Sequence, residues 1–110
     1  MNHPAPNEAL VELVGILGED DTKDLVRSFL HDFSPSIRRI TMGDKDSQRR
    51  TVHSLKSTAR HMGCLALSRK MAMYETRMMD AGAELTTDDI IAIVEEFEKA
   101  APPLRAFVGK

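Results

Sequence analysis

Apolar residues recur every three or four positions along most of the chain, the spacing that lines one face of an α-helix. No stretch alternates apolar and polar residues in the two-residue rhythm of a half-buried strand, so every predicted element is helical. Residues 1–6 hold two prolines and little that could pack, and are predicted to be a loose arm. Asn7 caps a short helix carrying Leu10, Val11, Leu13, Val14 and Leu17, with Gly18 as its terminator. Asp20 or Asp21 caps a second helix whose Leu25, Val26, Phe29, Leu30, Phe33, Ile37 and Ile40 share one face. Ser34-Pro35 predicts a kink in it, or a restart capped by Ser34, ahead of Gly43.

The third helix is expected to start between Asp44 and Ser47 and to stop at Gly63, a natural left-handed C-cap. Its Val52, Leu55, Ala59 and Met62 form an apolar stripe. A fourth helix follows at once, with Leu67, Met71, Tyr74, Met78 and Ala81 inward and Gly82 closing it. Thr87-Asp88-Asp89 caps a fifth, with Ile90, Val94, Phe97 and Ala101 inward, until Pro102-Pro103 bends or breaks it before a last packed turn of Leu104, Phe107 and Val108. Four long amphipathic helices joined by short turns, with a short one in front, predict an all-α fold: an antiparallel up-down-up-down four-helix bundle with an additional short N-terminal helix. At 110 residues this is one domain, residues 1–110, with a single core.

Composition supports helices over sheets. There is no Trp and there are only one Tyr and four Phe, so Leu, Ile, Val, Ala and several of the seven Met residues must build the core. Cys64 is the only cysteine, which excludes an internal disulfide and leaves a cysteine-based metal site short of ligands. With no basic leader and no run of membrane-spanning length, the expected location is the cytoplasm.

Charge changes the picture more. The formal net charge of −2 hides nine Lys/Arg against two acids between Ser36 and Lys70, a local balance of +7 that leaves −9 for the rest. Arg49, Arg50, His53, Lys56, Ser57 and Arg60 fall on one stripe of the third helix, beside its apolar seam. His53 therefore stands exposed among four cations, a setting that attracts an acidic surface or a phosphoryl group. For an arbitrary histidine the plain reading is an exposed residue without a role, and for the cations a solvated helix face. The combination argues against both.

Other histidine chemistry lacks parts. His61 lies eight positions from His53, off its face, and a His61–Cys64 pair does not make a closed metal site; His3 and His31 have no ligand-like company. No carboxylate lies on the His53 stripe to orient the ring, no nucleophile elbow is present, and no glycine-rich loop offers nucleotide binding. The overall acidity and the lack of aromatic platforms disfavour nucleic acid. Phosphoryl transfer onto nitrogen needs least from this chain, with Lys56 one turn along as a point charge for a phosphoryl oxygen and Arg49, Arg50 and Arg60 as surrounding potential.

The pattern His53-x-Leu55-Lys56-x-x-Ala59-x-x-x-Gly63 resembles the phosphoacceptor motif of the histidine-containing phosphotransfer (HPt) domain of multistep phosphorelays. The likeness in size and helix order, and the Tyr74-Glu75 pair late in the fourth helix, extend it over nearly the whole chain. The resemblance implies that His53 is the phosphoacceptor, Lys56 its assistant and Gly63 the helix-ending glycine. Ser57 departs from the glycine most common there, and Arg60 and His61 occupy variable positions that bias partner choice. It also implies partners: receiver domains of response regulators or hybrid kinases, whose Mg²⁺-containing aspartyl-phosphate pocket docks over His53, with Arg49, Arg50, Ser57, Arg60 and His61 as the partner-binding residues around it. The chain would then be a carrier without a cofactor, a metal or kinase activity of its own, and its mostly polar outer face makes a monomer the expected state. The rival readings are a degenerate HPt-like module that docks a partner without being phosphorylated, and the dimerising helical region of a histidine kinase, which Ser54 directly after the histidine disfavours.

Overall fold

The computed structural model describes residues 5–109, and among them the regular structure is helical throughout: α1 (Ala5–Leu17), α2 (Glu19–Met42), α3 (Lys45–His61), α4 (Leu65–Ala81) and α5 (Thr87–Val108). Of the predicted loose arm, residues 1–4 lie outside the described residues, whereas Ala5 and Pro6 already belong to the first turn of α1. Asn7 is thus inside the helix and is not its cap. A proline suits that first turn, because the N–H it lacks would have no helical partner there.

α2 begins at Gly18, not at an aspartate cap; Glu19, Asp20 and Asp21 occupy its first turn, where their charge opposes the helix dipole. It runs unbroken through Pro35 to Met42. The helix does not restart at Ser34, because Phe33, Ser36 and Ile40 are buried on both sides of the proline. At about 1.5 Å per residue, this 24-residue helix accounts for most of the molecule's 40 Å long axis. Pro102 and Pro103 likewise leave α5 continuous, with Ala101 and Leu104 fully buried around them. In both cases packing on either side outweighs one or two lost backbone bonds.

The core is one cluster drawing on all five helices. α1 contributes Leu10, with Leu13 packed against the cluster, while Val11 and Leu17 are exposed, so its buried stripe is narrower than the sequence suggests. Leu25 of α2 is also exposed. Phe33 stacks on Phe97 at 3.9 Å between centroids, and Phe29 meets both rings edge-on, which fastens α2 to α5. On α5 the buried face is Ile93, Phe97, Ala101 and Leu104, with the expected Ile90 and Val94 only flanking it. On α4, Leu67, Met71, Tyr74 and Met78 are buried as predicted; the side chain of Ala81 lies outside the described residues.

Two turns frame α3. Gln48 donates through Nε2 to the carbonyl of Ile40 at 2.9 Å, satisfying one of the free carbonyls at the end of α2. Between them sits Gly43, where a Cβ would stand 2.9 Å from the Arg39 carbonyl oxygen. No described helix is long and apolar enough to cross a membrane.

Candidate site on the α3–α4 face

α3 starts as the sequence predicts. The Asp44 carboxylate accepts from the Ser47 N–H at 2.9 Å. It also ends as predicted: Gly63 has φ of 78°, its N–H donates to the Arg60 carbonyl and the Cys64 N–H reaches back to that of Ala59, the paired bonds of a Schellman turn. The helix's own apolar stripe is buried, with Val52 and Ala59 at 0 % exposure. That burial fixes the rotation of α3 and turns His53 outward.

The tight turn sends α4 back along α3. Residues equally far from Cys64 then face each other, and His53 meets Glu75. His53 Nδ1 lies 2.7 Å from Glu75 Oε2, and Lys56 Nζ donates to Glu75 Oε1 at 2.6 Å. One carboxylate therefore holds both His53 and Lys56. Glu75 is buried, with 11 % of its side chain exposed, whereas the His53 side chain is 63 % exposed. Burial pushes the Glu75 carboxyl up, but hydrogen bonds from Lys56 and His53, with their charges, outweigh it and hold the group below its ordinary value. An ionised carboxylate only accepts, so Nδ1 carries the proton and donates. In the neutral ring, Nε2 on the far side then bears the lone pair.

This corrects the expectation that no carboxylate is available to orient the ring. None lies on the His53 stripe, but α4 supplies one. Periodicity within a single helix cannot reveal a partner 22 residues away on the next one. The signal that could have found it is the turn position, since 53 and 75 are equidistant from residue 64.

Beside the ring, a cleft of about 380 Å³ runs between the two helices, lined by His53, Lys56, Ser57, Arg60, Ser68, Arg69 and Ala72. Ser57 and Ala72 keep it open because their side chains are short. Ser68 donates through Oγ to the Lys56 carbonyl at 3.1 Å, tying α4 to α3. Of the residues singled out from sequence, Lys56, Ser57 and Arg60 share this cleft with His53, while Arg49, Arg50 and His61 lie outside its lining. Arg50 and His61 are exposed and Arg49 half-buried. Gly63 is buried in the turn. Arg69, which within-helix spacing could not relate to His53, joins the cleft from α4.

Further along α4, Arg77 pairs with Asp89 and lies 5.1 Å from the centre of the Tyr74 ring. Asp89 also accepts from the Thr86 N–H at 2.9 Å, while Thr86 Oγ1 accepts from the Asp89 N–H at 3.0 Å, a capping box that begins α5 one residue before the predicted cap. Cys64 is buried and its thiol is pushed up to about 11, leaving it protonated and inert at neutral pH. Among the described residues, no group of three or more His, Cys, Asp or Glu side chains could hold a metal ion. No protein-family model, curated protein or solved structure matches the chain.

Proposed function

We propose that this chain is a phosphohistidine carrier of the HPt type, which takes a phosphoryl group onto Nε2 of His53 from the aspartyl phosphate of a receiver domain and passes it to another. The observation that carries the reading is the His53–Glu75–Lys56 cluster: an exposed imidazole whose Nδ1–H is held by a buried carboxylate, leaving Nε2 free at a cation-lined cleft.

In the forward step the Nε2 lone pair attacks phosphorus in line with the departing aspartate oxygen. A P–N bond forms, a P–O bond breaks, and its electron pair leaves with the carboxylate of the receiver. In the neutral Nδ1–H tautomer no proton has to leave the nucleophile, because Nε2 then carries none. The ring gains positive charge as the bond forms, and Glu75, 2.7 Å from Nδ1, balances it. Lys56 uses one of its three donors on Glu75 and has two left for a phosphoryl oxygen. The receiver and its Mg²⁺ supply the remaining charge stabilisation.

The same reading takes α2 to α5 as an antiparallel up-down-up-down bundle with α1 packed outside it. Its support is the neighbour pattern, in which α3 packs on α2 and α4, and α5 on α2 and α4, while α1 touches α2 and α5. The chain would work as a single-domain monomer in the cytoplasm, where Arg49, Arg50, Ser57, Arg60 and His61 meet the acidic rim of the receiver.

Incubation with a ³²P-labelled receiver tests the reading. The expected result is label on the chain that is acid-labile, stable to alkali and lost in His53→Gln. Absence of label, or label that His53→Gln leaves in place, rules it out; binding of the receiver without label would identify a docking module instead.

A further inference from the structure

The cleft beside His53 holds two cations that the α3–α4 pairing does not use. Among the described residues, neither Arg60 nor Arg69 makes an ion pair or a side-chain hydrogen bond; the same holds for Arg38, Arg49 and Arg50, which lie outside the cleft, whereas Arg27, Arg77 and Arg105 pair with acids and Arg39 donates to Ser36. Arg60 comes from the last turn of α3 and Arg69 from the first turns of α4. They line the same space from opposite helices, with the short side chains of Ser57 and Ala72 giving access and Lys56 beside them. The residues lining the cleft include no acid, and Glu75, which His53 and Lys56 meet, is engaged by both of them.

Two free guanidinium groups flanking an open cleft, with no described anion of the protein's own to neutralise them, form a site for a dianion. We propose that Arg60 and Arg69 form a phosphoryl-binding subsite, which holds the oxygens of the group carried on His53 and so stabilises the phosphorylated chain relative to the free one. The subsite rests on the carrier reading above. It assigns Arg69 a role that the motif around His53 does not contain, and it gives Arg60, which also borders the docked receiver, the further task of holding the cargo, while Arg49 and Arg50, outside the cleft, face only the partner.

The distinction is thermodynamic. A residue that touches only the docked receiver changes forward and reverse transfer rates together, and its effect cancels from the equilibrium between free species. A residue that touches the phosphoryl group on His53 shifts that equilibrium. Arg69→Gln is therefore expected to move the ratio of phosphorylated chain to phosphorylated receiver toward the receiver by about tenfold, the size of one charge-assisted hydrogen bond partly open to water. Arg60→Gln together with Arg69→Gln moves it further, and Arg69→Lys by less than Arg69→Gln. Both arginines are exposed, so the variants keep the fold, which a thermal melt checks.

A second measurement needs no transfer. Inorganic phosphate titrated into the unphosphorylated chain is expected to shift the amide resonances of Ser57, Ser68 and Ala72 saturably, with binding weakened by roughly fivefold or more in Arg69→Gln. Where the wild-type chain takes label, the equilibrium ratio decides: a ratio unchanged by Arg69→Gln overturns the subsite and leaves the carrier reading standing. Where it takes no label, the carrier reading fails and the titration decides: phosphate binding that depends on Arg69 keeps the anion site, and binding that is absent or insensitive to Arg69→Gln removes it.

Discussion

Glu75 Oε2 and His53 Nδ1 lie 2.7 Å apart although 22 residues of chain separate them. Within this pair the two side chains differ sharply in exposure: the carboxylate is buried in the α3–α4 contact and the ring projects into solvent. A buried acceptor fixes the proton on Nδ1, and an exposed ring presents the other nitrogen. Replacing Glu75 by an isosteric amide keeps an acceptor but removes the charge that, on the proposed carrier function, balances the phosphorylated ring. Glu75→Gln is therefore expected to slow transfer to His53 on the order of tenfold to a hundredfold, less than the roughly 10⁴-fold loss when a protease triad loses its aspartate, because here no proton leaves the nucleophile. Quench-flow with a phosphorylated receiver measures it, and an unchanged rate would remove Glu75 from the mechanism.

Lys56→Ala separates the two partners of the same carboxylate. The side chain is 29 % exposed and carries no part of the core but is one of two partners of the buried Glu75, so the variant is expected to stay folded and melt somewhat below the wild type while transfer slows by about tenfold. Transfer at the wild-type rate would confine Lys56 to holding Glu75.

The turn that brings these residues together depends on a backbone conformation. Gly63 has φ of 78°, a region in which a Cβ crowds the following carbonyl oxygen. Gly63→Ala is expected to cost about 1–2 kcal/mol of stability, read from the shift of a urea midpoint. The His53 resonances should move with it, since the turn sets how α4 lies along α3.

Acid should destabilise the fold through two identifiable carboxyls. For Asp89, as for Glu75, burial alone would raise the pKa, but the Thr86 hydrogen bonds and the Arg77 charge and hydrogen bond lower it on balance. Both groups bind protons more weakly folded than unfolded, so their stabilisation is complete above the unfolded value near pH 4 and disappears as pH falls through the lower folded values. Denaturant midpoints measured from about pH 6 down to about pH 2 should therefore fall less steeply for a Glu75→Gln, Asp89→Asn double variant than for the wild type. Equal slopes would show that other groups govern acid unfolding.

Much of this architecture is legible in the sequence because each helix is long enough to display its period. The buried stripe of α3, its Asp44 cap and its Gly63 stop follow from spacing and residue type alone. The prolines do not break their helices for a physical reason: a lost backbone bond is local, whereas the burial of Phe33 and Ile40 around Pro35, or of Ala101 and Leu104 around Pro102 and Pro103, is settled by other helices. The face of α5 is ambiguous because Ile90, Ile93 and Val94 are all apolar, and Ile93 is chosen by its place one turn before Phe97, where the phenylalanine cluster forms. At the site, His53 and Lys56 are visible as a pair on one helix. Glu75 and Arg69 belong to the neighbouring helix, and their relation to His53 exists only once the turn at Gly63 sets the register.

That register has a kinetic side. Every side chain lining the cleft, and the carboxylate that orients His53, lies in one helix–turn–helix segment between residues 53 and 75. Bringing the ends of so short a loop together costs little chain entropy, and contacts of low sequence separation favour rapid folding. The α3–α4 hairpin can thus assemble the imidazole, its acceptor and its cations before α5 closes over the phenylalanine cluster, whose Phe33 and Phe97 must meet across 64 residues of sequence.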